Sequence, residues 1–398
     1  VAALRILFLA SGSALGFVFP FMALILFERG FDVVGVGLIA GVSAAVSTVA
    51  LPVYGHVADV VIGRRRALQI AAIVGIGAFA ITGAPLAGLL LSLCVVVFWV
   101  ASTSFNPLVD ALAVNALRDP QRDYASLKLL SSLGFASGTV GAGLLYQQAG
   151  YDLSVVLYAA AALVVIGAAI PAPDVRRTEL QPDAAGGERA SVAPSSGRFG
   201  SVGLALRTAP RLPGALLAIG LVHLTIITAF TFLTVRLDEL GGGPTAVALA
   251  TGAAAFVEVP AFFLAGRLAR RMSLAAMFLV GSAIYSSVVL TWVVMDQPVI
   301  IVASRAVTGI GYALFHTASV VTIARLLPRH LQATGQLLFQ MVSGGLAALV
   351  ASAGGGILYA AGGAALVFGL AGAIGLVGAA VGWFVLRPAD AANQPVRR

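Results

Sequence analysis

Four ionisable residues of this chain fall where ionisable residues are costly. Asp110, Lys128, Glu258 and Arg305 each sit within a long apolar run. A charge at the centre of a bilayer costs about 2.5–3.5 kcal/mol on insertion scales, so such residues normally face a bundle interior or a watery cavity and have a task there. Two acids and two bases can pair with one another, hold a polar solute, or take up and release protons. Lys128 is the sole lysine of the chain, in "RDYASLKLLSSLGF" (residues 122–135). Its compact ammonium suits a carboxylate or a phosphate, while lifting of its long stem to the membrane interface is the plain alternative. Asp110 lies ten residues before Pro120 in a short connecting loop and Lys128 eight after it. At 1.5 Å per residue both are about 10 Å inside the same membrane face, so the two can pair directly or share a solute. Glu258 stands in "FVEVPAFFLAGRL" beside Pro260, which bends a helix and frees carbonyls of the kind tolerated along a cavity. Arg305 counts out roughly 10 Å nearer the opposite face than Glu258, so these two form an ion pair only if Arg305 reaches inward. His223 and His316 are further groups that can carry a proton, each equally readable as a neutral histidine bonded to a neighbouring helix.

The elements that must position these residues are apolar throughout. The 398 residues are 60% hydrophobic and 10% charged, with mean hydropathy +1.01, which makes lipid the solvent for most of the chain. Twelve runs of spanning length occur between residues 4–26 and 363–387, in two groups of six. The expected fold is therefore an all-α integral membrane protein of two pseudo-symmetric six-helix bundles, 1–171 and 211–398. Residues 172–210, rich in Pro, Gly, Ala, Ser and charge, read as a flexible linker without a packed core. The net charge of +8 does not signal nucleic acid, because the basic residues are scattered between apolar runs. All of them except Arg29, Lys128, Arg236 and Arg305 fall at the amino end, in loops after even-numbered segments, or in the tail. That bias puts both termini in the cytoplasm of a plasma-membrane protein. The first segment follows no cleavable signal pattern and reads as a retained span. Cys94 stands alone, which excludes an internal disulfide and a cysteine metal site. Neither a G-x-x-x-x-G-K loop nor an H-E-x-x-H helix occurs, so no enzyme chemistry and no cofactor is expected. The halves also echo each other: "LGFASGTVGAGLLYQQAG" has a counterpart in "MVSGGLAALVASAGGGILYAAG". Small residues such as Gly134, Gly138, Gly141 and Gly143 allow helices to approach closely in lipid.

The loop "GHVADVVIGRRRAL" resembles the signature of the major facilitator superfamily, with Gly55, Asp59, Gly63, Arg65 and Arg66 at the matching positions. It departs from it at Val60, where a basic residue is usual, and in Gly63, which comes one residue late. The second half keeps only "GRLARR", with Arg270 where an acid would stand. The resemblance implies two bundles rocking about a central site. It also implies a gate in which Asp59 accepts bonds from a helix end or from an arginine of the other half. Within the superfamily the chain is most similar to the branch of the lactose, phenylpropionate and nucleoside permeases, through Pro107, Asp110, Tyr124, Lys128, Gly134 and Phe135. In lactose permease the corresponding acid and base bind sugar hydroxyls and a tryptophan stacks on the sugar ring, roles that the resemblance passes to Asp110, Lys128 in place of an arginine, and Phe135 in place of the tryptophan. Glu258 matches an acid of helix 8 and Arg305 a base of helix 10. Thr308 and Gly311 stand where lactose permease has its proton-handling His and Glu, so its coupling machinery does not carry over intact. Proton coupling then falls to Glu258, Asp110 or His223. The expected function is proton-coupled uptake of a small polar organic solute by a monomer whose partners are that solute, protons and the bilayer. Proton-driven efflux of drugs or sugars is the alternative, and would not need Lys128. A receptor would leave four buried charges without a coupled ion. Phe17, Phe19, Phe21, Tyr312 and Phe315 are secondary candidates for the cavity wall.

Overall fold

Apolar runs of spanning length fold as helices because lipid offers no partner to a free N–H or C=O. In a computed structural model, which describes residues 2–84, 88–117, 120–172 and 198–392, all regular structure among the described residues is helical. The first six spans are α1 (Ala2–Glu28), α2 (Val33–Ile62), α3 (Arg64–Ile81), α4 (Gly88–Thr103 continued by Phe105–Ala116), α5 (Pro120–Ala149) and α6 (Leu153–Ala169). The next four are α7 (Leu212–Glu239), α8 (Gly243–Leu268), α9 (Leu274–Thr291) and α10 (Pro298–Leu326). The remaining helical stretch is broken by the non-helical Gly362 and Gly363 into α11 (332–362) and α12 (363–392). Local chemistry sets several ends. Asp32 accepts the Gly35 N–H at 2.7 Å to start α2, and Ser273 accepts that of Ala276 at 3.1 Å to start α9. Gly63, at φ 87°, turns the chain sharply between α2 and α3.

The region between the bundles departs from expectation. Residues 173–197 of it lie outside the described residues, but Arg198–Thr208 form a helix, here the linker helix. Ala205 and Ala209, four apart, are buried on the C-terminal bundle, while Leu204, Leu206 and Arg207 are exposed. Its small side chains let it lie flat, a local pattern that the polar composition of the whole linker conceals.

Each half has its own aromatic centre. Phe79 stacks on Phe98 at 4.5 Å, with the Tyr158 hydroxyl 2.8 Å from Ser102 Oγ. In the other half Phe278 and Phe315 pack at 5.2 Å. The halves meet along α2 with α11 and along α5 with α8. Glycines make these meetings close: Gly37 faces the backbone of Ser352 and Gly356, and Gly143 faces Pro244 and Ala248. Thr234 donates to the Pro20 carbonyl at 3.2 Å, and Thr245 to Gln147 Oε1 at 3.4 Å. This seal lies toward the α1–α2 and α7–α8 turns and runs inward as far as Gly345 against Thr48. The opposite end of the molecule, with Arg64 and Arg267, is the arginine-rich one.

Candidate solute cavity between the halves

On α5 the seal uses Val140, Gly143 and Gln147, whereas Lys128, Ser131 and Phe135 line a cavity of about 500 Å³. On α8 the seal uses residues 244–252, whereas Ala255, Glu258 and Phe262 line the cavity. The cavity therefore lies between the halves on the arginine-rich side of the seal.

Its N-terminal wall is set by α4 and α5. Lys128 Nζ donates to both oxygens of Asp110, at 3.1 and 2.9 Å, and the Tyr124 hydroxyl bonds the same carboxylate. The equal depth of the two residues on antiparallel neighbours is what permits the pair. Lys128 and Asp110 keep 41% and 29% of their side-chain exposure, so the pair stays accessible to water and solute. Lys128 touches the cavity and carries Asp110 behind it. Lys128, Ser131 and Phe135 follow one another at helical spacing, so one face of α5 supplies charge, hydroxyl and ring. Gly134 and Gly138 hold that face in place by packing on the α1 backbone, where Ser13 Oγ donates to the Gly134 carbonyl at 3.2 Å.

The C-terminal wall carries Glu258 and Arg305 as separate groups. Arg305 Nη1 donates to Thr308 Oγ1 at 3.0 Å and to the Tyr285 hydroxyl at 3.3 Å, with its guanidinium 6.0 Å from the Trp292 ring centre. Arg305 is thus held at its own depth and does not reach inward. Glu258, half-buried at the cavity wall, has no hydrogen-bond or ion-pair partner among the described residues. The two opposite charges still influence each other along this wall.

Other expected residues stand elsewhere. His223 is buried in the C-terminal bundle, its Nδ1 3.0 Å from the Ile219 carbonyl and its ring against Phe315 and Phe339. It is not among the residues that line the cavity, and its ring nitrogen bonds a carbonyl of its own helix. His316 stacks on Tyr312, which lines the cavity, whereas Phe315 is fully buried. Phe19 and Phe21 pack against Trp99 and Tyr146.

The signature residues cluster at the arginine-rich end. Asp59 lies in a π-helical last turn of α2 and accepts from Arg64 Nε at 2.5 Å. The same guanidinium reaches the Ala111 carbonyl, next to Asp110, at 3.4 Å. Arg65 donates to the Ile170 carbonyl at 3.2 Å, Arg66 is exposed, and Gly55 faces open space. Asp59 therefore meets an arginine of its own half. Among the described residues no arginine of the C-terminal bundle is paired with it.

The partners of Arg305 escape sequence reasoning. Tyr285 comes from α9 and Trp292 from the residue that caps its end, and nothing in "GSAIYSS" marks that tyrosine. Thr308 carried a usable signal, its i+3 spacing from Arg305. Among the described residues no group of His, Cys, Asp and Glu could hold a metal.

Known proteins share this fold. The model of the MFS_1 like family matches residues 2–370. The maltose permease of Geobacillus stearothermophilus is 26% identical over 341 residues, covering 84% of this chain and 82% of that one. The structure of nucleoside transporter NupG superposes with a TM-score of 0.82 over 96% of this chain and 98% of that one, at 14% identity. A bacterial homologue of the human lysosomal transporter Spinster, inward-facing and unoccupied, does so at 0.72 over 100% and 98%, at 13% identity. Twelve spans among the described residues, two halves sealed together at one end, a charged cavity between them and a family match across nearly the whole length lead to one conclusion: the chain belongs to the MFS_1 like family and is a multi-pass secondary transporter of the major facilitator fold, not an enzyme.

Proposed function

We propose that the chain carries a small polar organic solute, a sugar, nucleoside or organic acid, together with a proton. It works as a monomer in the plasma membrane, with its arginine-rich end and both termini in the cytoplasm. The observation that carries this reading is the unequal state of the two cavity walls: Asp110 and Lys128 hold each other, while Glu258 holds nothing. A solute with hydroxyl or carboxylate groups can insert at the first wall, taking bonds from the Lys128 ammonium and giving them to Asp110, with Phe135 against its apolar face. Glu258 then sets the coupling rule. Closing the arginine-rich end would take an unpaired carboxylate out of water, which costs several kcal/mol unless a proton or a solute donor neutralises it. A proton on Glu258 thereby becomes a condition for the closing step. The names of the relatives, a maltose permease and a nucleoside transporter, accord with a polar organic cargo.

The test has two stages. Thermal unfolding of the purified protein is followed with sugars, nucleosides, carboxylates and cationic drugs, because a bound solute raises apparent stability by mass action. Stabilisation by a sugar, nucleoside or carboxylate, lost in Lys128→Ala, is expected; a response to cationic drugs alone, kept in that variant, would establish the efflux reading instead. The identified solute is then used in proteoliposomes. Glu258→Gln should abolish accumulation driven by a pH gradient and spare solute exchange, and unchanged uphill transport would remove Glu258 from the proton step.

A further inference from the structure

The C-terminal wall of the cavity holds a cation that touches no acid. Arg305 is 8% exposed, and a guanidinium keeps its charge at any ordinary pH. Its hydrogen bonds among the described residues all leave from Nη1, toward the neutral hydroxyls of Thr308 and Tyr285. The edge of the fork formed by Nε and Nη2 has no hydrogen-bond partner among the described residues. Arg305 nevertheless lines the cavity. It also borders a gap of about 10 Å³ shared with Thr234 of the seal, so it stands at the deep end, away from the arginine-rich face.

The charges around Arg305 restrict what a cargo can be. The titratable groups at the cavity are Glu258 on α8, Tyr285 on α9, Tyr312 on α10, and Lys128 on α5 with Asp110 and Tyr124 behind it; the walls from α1 and α7 carry none. The phenols are neutral, and Asp110 and Lys128 cancel each other. Glu258 is then the negative charge that balances Arg305, acting on it without contact. The proton that prepares Glu258 for the closing step removes that balance. A neutral solute would leave the loaded carrier with one net buried cation, and a dianion would leave it with one net anion. A monoanion alone makes the loaded cavity neutral.

We infer that the cargo is a monovalent organic anion, its carboxylate seated on the free edge of Arg305 and its hydroxyl groups at the wall of Asp110 and Lys128, carried one for one with the proton of Glu258. The planar fork meets a carboxylate in two parallel bonds, whereas the Lys128 ammonium is already engaged by Asp110. The inference rests on the reading of Glu258 as the proton site. It makes the two ligands reinforce each other: the protonated carboxyl no longer repels the anion, and by reciprocity the bound anion favours the proton.

Matched acids and amides separate charge from shape: glucuronate and glucuronamide, lactate and lactamide, nicotinate and nicotinamide. Each is titrated into purified full-length protein while thermal unfolding is followed, between about pH 5.5 and 8, where an ordinary carboxylate stays ionised. In at least one pair the acid should bind about tenfold or more tightly than its amide at the lower pH, and the difference should vanish in Arg305→Gln. Affinity for that acid should weaken at least about fivefold toward pH 8 in the native protein, and should stay at its low-pH value in Glu258→Gln. If Arg305→Gln does not fold, the pH profiles of the native protein and Glu258→Gln decide alone. Equal binding of acid and amide, a native profile that is flat, or failure of every acid to bind at millimolar concentration would overturn the anion. Neutral sugars or nucleosides that stabilise the protein through Lys128 would in that case leave the polar-solute reading standing. A response to cationic drugs alone would remove that reading and the anion with it.

Discussion

Gly37→Val should tip the transporter toward the state in which its seal is open. A Cβ at Gly37 would overlap the Ser352 carbonyl oxygen and stand 3.0 Å from Gly356 Cα and 3.2 Å from its nitrogen. Carbon atoms rest about 3.5–4.0 Å apart, so α2 and α11 must separate by at least about half an ångström for a methyl group and further for valine. Both obstacles are backbone and cannot rotate away. Overfilling a close-packed contact costs about 1–3 kcal/mol, and here that cost exists only while the two helices meet. The equilibrium between sealed and open forms therefore shifts by about 5- to 150-fold. The reporter is Thr234→Cys in a Cys94→Ser background. Thr234 is 6% exposed and bonded across the seal to Pro20. Its labelling by a thiol reagent that cannot cross the membrane should accelerate by the same factor when Gly37→Val is added. Gly77→Val, on α3 where a Cβ meets nothing within 4 Å, should leave the rate unchanged. Labelling at the native rate in a folded Gly37→Val protein would show that α2 and α11 do not part in the transport cycle.

Two further outcomes follow from the cavity walls. Lys128→Ala leaves Asp110 unpaired, and because the pair is about one-third exposed its loss should cost about 1–3 kcal/mol, between the surface and buried limits. Adding Asp110→Asn should restore much of that stability without restoring solute binding, and simple additivity in the thermal double-mutant cycle would show that the two do not interact. Arg305→Lys keeps the charge but gives up the planar fork that reaches Thr308 and Tyr285 together and faces Trp292, so solute affinity should fall about tenfold. Native affinity in that variant would mean that only the charge at this position matters.

The sequence was most readable where geometry is local. Asp110 and Lys128 stand at equal distances from one short connection, and a helix advances so regularly that counting residues located both at one depth. The same counting kept Arg305 away from Glu258, and the structure keeps them apart. What no count could supply were contacts between helices distant in sequence. Arg305 meets Tyr285 of α9 and Trp292 at its end, a neighbour chosen by packing of the whole half. His223 carried the right chemistry for a proton step, yet its value depends on which face of α7 turns to the cavity, and the face it occupies packs on Phe315 and Phe339. Asp59 shows a different limit. The resemblance pointed to a helix end or an arginine of the other half, and the partner found is Arg64, five residues away in its own half.

The separateness of Glu258 and Arg305 has an electrical meaning. Asp110 and Lys128 cancel as a unit that moves with one half, and with Glu258 ionised the C-terminal wall cancels as well. Any reorientation of the empty carrier in that state, which the ionised Glu258 disfavours, transfers none of its own cavity charge through the membrane field, and voltage should not change its rate. With Glu258 protonated and no solute bound, Arg305 is left uncompensated, and each 100 mV acts on that reorientation with up to about 2.3 kcal/mol. A transient current recorded without solute would therefore read the protonation of a single carboxyl group, with the membrane itself as the voltmeter.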